Sequence, residues 1–335
     1  MPVMVGLPDD RLVYLGAHPR TGEIGWSVPG NSSFPSQLDP AIRRHLTEVY
    51  FGSSIPVTPN QAARGRPLLN NICDPDTSAQ SLHSLEHIVA ELQAPCFNHP
   101  SAVLDTTRER VAVKLAHIHG LQVPRTVRTR LDEPADLARV ANVNGLRFPL
   151  IVRIAGAHNG SATVRIDSAD GAAVGLRSIP WGGRDLYLTE FVDYRDDDGM
   201  HRKMRLVFVG RDVFLRHLVI ADDWHVHAQD RNDWMAQEET TMLTTFRSDV
   251  LPRLRETLAA VVDIMRLDFF GMDCSLRPDG RLLMFETNSA MNILHNSKPS
   301  PNYWDAPIRQ IHDALAALLL DPQRWQFPAT RSAAA

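Results

Sequence analysis

Three residues of this chain have types and spacing that suggest chemistry: Asp273, Glu286 and Asn288. They lie in the stretch Gly271 to Asn296, GMDCSLRPDGRLLMFETNSAMNILHN, which reads as two antiparallel strands over 272–276 and 281–285 joined by Arg277-Pro278-Asp279-Gly280. Proline presets φ and Asp-Gly supplies the left-handed position, so the turn has a mechanism. Residues two apart leave a strand on the same face, which puts Glu286 beside Asn288, with Asp273 on the neighbouring strand. Two carboxylates and an amide oxygen make a hard, oxygen-only site of the kind that holds Mg²⁺ together with substrate phosphates. Taken alone, the same residues fit a solvated surface hairpin equally well. The surrounding elements have to decide.

The chain has 335 residues, 44% hydrophobic and 22% charged, with a net charge of −4. That length allows two or three subdomains of a globular protein. The mild acidity argues for neither a nucleic-acid nor a membrane partner. No apolar run approaches the roughly 20 residues of a membrane span, and the N-terminus MPVMVGLPDD does not read as a signal peptide. Cys73, Cys96 and Cys274 lack metal spacing and read as reduced cysteines of a cytoplasmic protein. Of the 35 Lys and Arg residues, only Lys114, Lys203 and Lys298 are lysine.

Residues 1–100 read as a small open α/β domain, with a strand over 68–72 and an amphipathic helix carrying Leu82, Leu85, Val89 and Leu92. Asp74 and Asp76, just before that helix, read as its caps. Thr106 and Glu109 have capping-box spacing and open a second helix with Val111, Leu115 and Ile118 on one face. A strand over 149–154 carries the cation Arg153, runs into the glycine-bearing loop 155–162 and returns over 163–166. Glycines there let backbone N–H groups approach phosphate oxygens. A strand over 186–192 precedes an acidic loop. On the strand after it Arg205, Val207 and Val209 share a face, and a cation there needs an anion or a cleft. Residues 222–242 show no period and read as a loop covering a cleft. Helices are expected near 250–265 and 308–320.

Taken in order, these elements resemble the ATP-grasp superfamily on its glutathione-synthetase and RimK-like side, over residues 95–320. The most specific part is GMDCSLRPDGRLLMFETN, where Asp273 and Glu286 stand 13 residues apart and Asn288 completes an E-x-N. KMRLVFVG resembles the family's D-x-R-V-x-V-x-G, with Lys203 where an acid is common. The resemblance implies an α/β (α+β) ATP-grasp fold: an N-terminal domain over 1–100, two α+β subdomains over 101–189 and 190–325 that clasp ATP, and a tail over 326–335.

It further implies an ATP-dependent ligase that joins a carboxylate to an amine through an acyl phosphate, with ATP and two Mg²⁺ ions as cofactors. Asp273, Glu286 and Asn288 would hold the metal. Arg110 and Arg153 stand where the family usually has the lysines that grip the α- and β-phosphates, a change that keeps the charge but not the shape. Gly156, Gly160 and Ser161 would cover the phosphates, and Thr189, Glu190, Phe191 and Val192 would form the strand beside adenine. Arg205 is the first candidate for the transferring phosphoryl group, and Arg216 the second. The substrates implied are small molecules or peptides, with Lys203, His217, Asn292, His295 and Lys298 as candidate contacts and Trp224, His225, His227 and Met291 near them. His225 and His227 have strand spacing for a metal, but no third ligand is evident. A small-molecule kinase and an inactive nucleotide-binding module are the alternatives, and a homodimer is left open.

Overall fold

A computed structural model describes residues 1–17, 22–52, 55–157, 160, 162–226, 231–289 and 291–328. The architecture is mixed α/β, built on three main sheets laid down in turn. In the first part, β1 (Pro2–Gly6) is followed by a separate ribbon, β2 (Tyr14–Ala17) and β3 (Ile24–Ser27), and then by β4 (Thr47–Phe51), β5 (Leu68–Asn70) and β6 (Cys96–Phe97). The sheet order is β4-β1-β5-β6, parallel throughout. Its inner strands β1 and β5 are short, mostly buried runs because both faces are covered, while the edge strand β4 begins with exposed Thr47 and Glu48.

Helix Arg108–Leu115 leads to β7 (Leu121–Gln122). This strand does not join the next sheet but pairs in parallel with β15 of the third. Val103, Val111, Leu115 and Leu121 accordingly pack in one core with Leu254, Leu258 and Met272. Residues 103–121 thus share a core with the third sheet.

The second sheet contains β8 (Thr126–Thr129), β9 (Leu150–Ile154), β10 (Thr163–Ile166) and β11 (Leu186–Glu190), antiparallel in the order β10-β9-β11-β8. It has its own core of Leu137, Leu150, Val152, Leu176, Leu186 and Leu188. The third holds β12 (His201–Val209), β13 (Asp212–Ala221), β14 (Phe269–Leu276) and β15 (Leu282–Asn288), in the order β13-β12-β14-β15-β7. The expected turn closes the β14–β15 hairpin: Gly280 adopts φ +83° and its N–H donates to the Arg277 carbonyl at 2.9 Å. Val207 and Val209 of β12 meet Val3, Val5, Ile311 and Leu315, so one core joins the first and third sheets.

Two elements depart from the sequence reading. Residues 222–242 are not all loop, since a helix spans Asp233–Thr245 with the Asn232 side chain accepting from the Met235 N–H. Its one fully buried residue is Glu239, which interrupts the partly buried Met235, Met242 and Leu243 and so hides the apolar stripe from a periodicity search. Asp76 does not cap helix Ala79–Leu92; its carboxylate accepts the Tyr187 hydroxyl at 2.6 Å, Arg128 Nη1 at 2.9 Å and the Gly156 N–H at 3.2 Å. It ties the first part of the chain to the second sheet.

Candidate active site

The register of β14 on β15 sets Asp273 directly opposite Glu286 and Gly271 opposite Asn288. Like charges in a facing pair repel, and each carboxylate is held by cations. Asp273, 2% exposed, takes a two-pronged bond from Arg205, Nε to Oδ1 at 2.7 Å and Nη2 to Oδ2 at 2.9 Å, with Lys203 Nζ at 3.4 Å. Burial alone would raise its pKa, but Arg205 and Lys203 outweigh that and hold it well below the ordinary range. Glu286 is bonded by Arg108 and lies 3.7 Å from Arg153 Nη1. For Glu286 too, burial pushes the pKa up, and the cations Arg108, Arg153 and Arg205 together hold it below the ordinary range. Gly271 packs closely under Met291: a Cβ there would lie 2.5 Å from Met291 Sδ, so that side chain would have to shift.

Two β-bulges flank the carboxylates. Arg205 pairs with His217 while Leu206 pairs with Leu215, which leaves Arg216 as an extra residue. Asp273 pairs with Glu286 while Cys274 pairs with Met284, which leaves Phe285 extra. A bulge lets consecutive residues face the same side, and Arg216 with His217, like Phe285 with Glu286, both line one cavity of about 730 Å³. Arg216 is 4% exposed; its Nε and Nη2 donate to the carbonyls of Ile293 (2.6 Å) and His295 (2.8 Å), and among the described residues its buried Nη1 has no partner. An unmet buried donor costs about 1–3 kcal/mol. Burial pushes the Arg216 pKa down to about 10. His217 is held well below its ordinary value, by burial first and then by Arg205, Arg216, Lys203 and Arg231, so it is neutral.

Behind this wall Glu239, 0% exposed, pairs with Arg231 at 2.5 Å and accepts the Trp304 indole N–H (3.0 Å) and the Tyr303 hydroxyl (2.9 Å). The guanidinium groups of Arg216 and Arg231 lie 5.0 and 4.8 Å from the centre of the Trp304 ring. Lys298 donates to the Tyr303 hydroxyl at 2.8 Å and lies over the same two rings, outside the cavity lining.

At the other end the cavity is lined by Arg153, Gly160, Thr189, Glu190, Phe191 and Val192. The Phe191 N–H donates to the Pro149 carbonyl at 2.9 Å, and its ring carries Arg165 at 4.2 Å and meets Trp224 edge-on. Arg153 donates to the Ala157 carbonyl, and burial pulls its pKa down to about 10.

No protein-family model matches the sequence, and neither does any curated protein. Solved structures do match. The D-Ala:D-Ser ligase VanG from Enterococcus faecalis superposes with a TM-score of 0.53 at 10% identity, over 95% of this chain and 98% of that one. A RimK domain ATP-grasp protein from Sphaerobacter thermophilus gives 0.50 at 13% identity, over 96% and 100%. This chain has the ATP-grasp fold. A third structure with that fold is the macrocyclase MdnC from Microcystis aeruginosa, bound with its precursor peptide, at 0.51 and 13% identity over 96% and 99%.

Within the ATP-grasp fold the cavity gathers most residues singled out in the sequence: Arg153, Gly160, Thr189, Glu190, Phe191, Val192, Lys203, Arg205, Arg216, His217, Trp224, His225, Asp273, Glu286, Asn288, Met291, Asn292 and His295. It does not gather Arg110, which bonds the Leu104 carbonyl at 2.9 Å and lies 3.5 Å from Asp105. Two residues along a helix is over half a turn, so Arg110 and Arg108 face opposite ways. Arg108 shares the stripe of Val111, Ala112 and Leu115, and that spacing was the signal available in the sequence. Gly156 lies against Asp76 and Thr77, away from the cavity lining. Ser161 and His227 fall outside the described residues. Arg231, Glu239 and Tyr194 were not singled out; Arg231 and Tyr194 line the cavity, and Glu239 anchors it from behind.

The donor set fits Mg²⁺. Among the described residues no three His, Cys, Asp or Glu side chains gather to hold a metal. An ion here would rest on Asp273, Glu286, the Asn288 amide and ligand oxygens, the mixed set that suits magnesium with a polyphosphate. Among the described residues no helix is long and apolar enough to cross a membrane.

Proposed function

We propose that this chain is an ATP-dependent carboxylate–amine ligase working in the cytoplasm on a small-molecule or peptide acid. The observation that carries the reading is the cluster at the paired strands: buried Asp273 and half-buried Glu286, each tied to two cations, at the floor of a cavity large enough for a nucleotide and a second reactant. Such a cluster can exchange partners without leaving a charge unmatched. With ATP bound, Arg205, Lys203, Arg108 and Arg153 would be the cations available to phosphate oxygens, and Asp273 and Glu286 the carboxylates that would hold the metal. Bound Mg²⁺ would neutralise phosphate charge and orient the γ-phosphorus.

The residues then act by position and charge. Arg205 stabilises the transferring phosphoryl group as the substrate carboxylate attacks it, leaving ADP and an acyl phosphate. An amine displaces phosphate and the amide forms. Phe191 and Trp224 wall the cavity from water, which would otherwise hydrolyse the acyl phosphate. The names of two fold relatives, a D-Ala:D-Ser ligase and a peptide macrocyclase, support the same reaction type.

Incubation with MgATP, hydroxylamine and a panel of carboxylic acids, amino acids and acidic peptides tests the reading. A ligase gives a hydroxamate and ADP in equal amounts. A stable phosphate ester would make the chain a kinase instead.

A further inference from the structure

Outside the cavity lining, the apolar side chains left open to solvent gather on the β2–β3 ribbon. Leu12, Val13, Tyr14, Leu15, Ile24 and Trp26 are all exposed, Leu15 and Ile24 at 77% each. The register pairs Leu15 with Trp26 and Ala17 with Ile24, so these four side chains share one face of the ribbon. Tyr14, Gly16, Gly25 and Ser27 share the other. One face is therefore wholly apolar, the pattern of a strand pair that is covered on one side. Yet among the described residues neither strand pairs with a third, and every position of both is exposed. The Trp26 ring meets the Tyr50 ring with centroids 4.8 Å apart, which seats the ribbon beside β4, an end strand of the first sheet. A two-stranded hairpin without cover is marginally stable at best in water, and contiguous apolar surface of this extent marks an interface.

Size and match indicate what covers it. With roughly 200 Å² for a large side chain, the six leave roughly 700 Å² open, close to the about 800 Å² that a standard interface takes from each partner. The apolar face carries no charge, so its complement is another uncharged apolar surface. Elsewhere among the described residues large exposed hydrophobics come singly, with Val113, Val143, Val174 and Trp234 each on a separate helix. The surface of this chain that matches the ribbon is the ribbon itself. We infer that the apolar face of β2–β3 packs on the same face of a second copy, forming a two-fold homodimer. Contact of a patch with its own copy closes after two chains, so the surface is covered without leading to a filament. The dimer does not depend on the ligase reading, since none of the six residues lines the cavity.

Sedimentation equilibrium on the full chain tests it, with neither nucleotide nor substrate present. The parent protein should show twice the chain mass at micromolar concentration. Leu15→Thr with Ile24→Thr keeps residues suited to strands but removes the two most exposed apolar side chains, and should raise the dissociation constant at least about tenfold. An unchanged circular dichroism spectrum checks that the variant is folded. Leu15→Thr alone should act in the same direction, and it decides should the double variant not fold. Val174→Thr, an exposed apolar position on helix Ala172–Leu176, should leave self-association as it is. A parent protein that stays monomeric, or one whose assemblies grow past the dimer, overturns the inference. So does a folded ribbon variant that dimerises as the parent does, or an equal loss of dimer in Val174→Thr.

Discussion

Arg205 grips Asp273 with two arms of its guanidinium, Nε to Oδ1 at 2.7 Å and Nη2 to Oδ2 at 2.9 Å, across directly facing positions of β12 and β14. The residue proposed to meet the transferring phosphoryl group is thus docked on the residue proposed to meet the metal. A third arm, Nη1, reaches the Asn292 carbonyl at 3.1 Å and fixes the loop after β15. Replacing Arg205 by Met should lower turnover about a hundredfold or more, the usual loss when a group stabilising transition-state charge is removed. Nucleotide affinity should change much less. Unaltered kcat in a folded Arg205→Met protein would remove Arg205 from the chemistry.

The opening helix separates two arginines by function. Arg108→Ala should weaken AMP-PNP binding ten- to a hundredfold, matching the loss of a charge-assisted hydrogen bond of about 1.5–3 kcal/mol. Arg110→Ala should leave it unchanged, because Arg110 bonds Leu104 and Asp105 on the opposite face. Titration calorimetry on both variants decides, and the reverse pattern would restore the position expected from the family resemblance.

Asp273 also sets a pH dependence. Its folded pKa is depressed from the ordinary 3.8 to about 2 by Arg205 and Lys203 acting against burial. The stability it contributes is therefore present above the unfolded value and lost as pH falls from about 4 towards about 2. Urea midpoints measured down this range should fall less steeply in Asp273→Asn than in the parent protein. Parallel curves would mean that the pairing does not stabilise the fold.

Glu239 anchors the wall of the cavity from inside. Glu239→Ala leaves Arg231 buried without its counter-ion and should cost about 3–5 kcal/mol. Chemical denaturation measures this directly. Replacing both partners, as Arg231→Met with Glu239→Gln, should recover most of the loss, and a double variant as unstable as the single one would show that the pair is not the cause.

The sequence made the β14–β15 hairpin legible because Pro278, Asp279 and Gly280 mark its turn and because E-x-N spacing needs only local geometry. Other features depended on context. Arg216 and His217 are consecutive and would be expected on opposite faces of a regular strand, but the bulge opposite Arg205 brings both to the cavity. Helix Asp233–Thr245 was hidden because its inward residue is a glutamate. Asp76 resembles a helix cap by position, and its bonds to Tyr187, Arg128 and Gly156 come from residues far along the chain, which no local pattern records.

The central claim is that Asp273, Glu286 and Asn288 hold a divalent metal together with a nucleotide. It is tested most directly by titrating AMP-PNP into the parent protein and into Glu286→Gln, each with and without Mg²⁺. The account predicts binding that strengthens at least tenfold with Mg²⁺ in the parent, about 1.4 kcal/mol, and a response to Mg²⁺ that largely disappears in Glu286→Gln. Nucleotide binding that ignores Mg²⁺ in the parent, or an undiminished Mg²⁺ response in the variant, would contradict it.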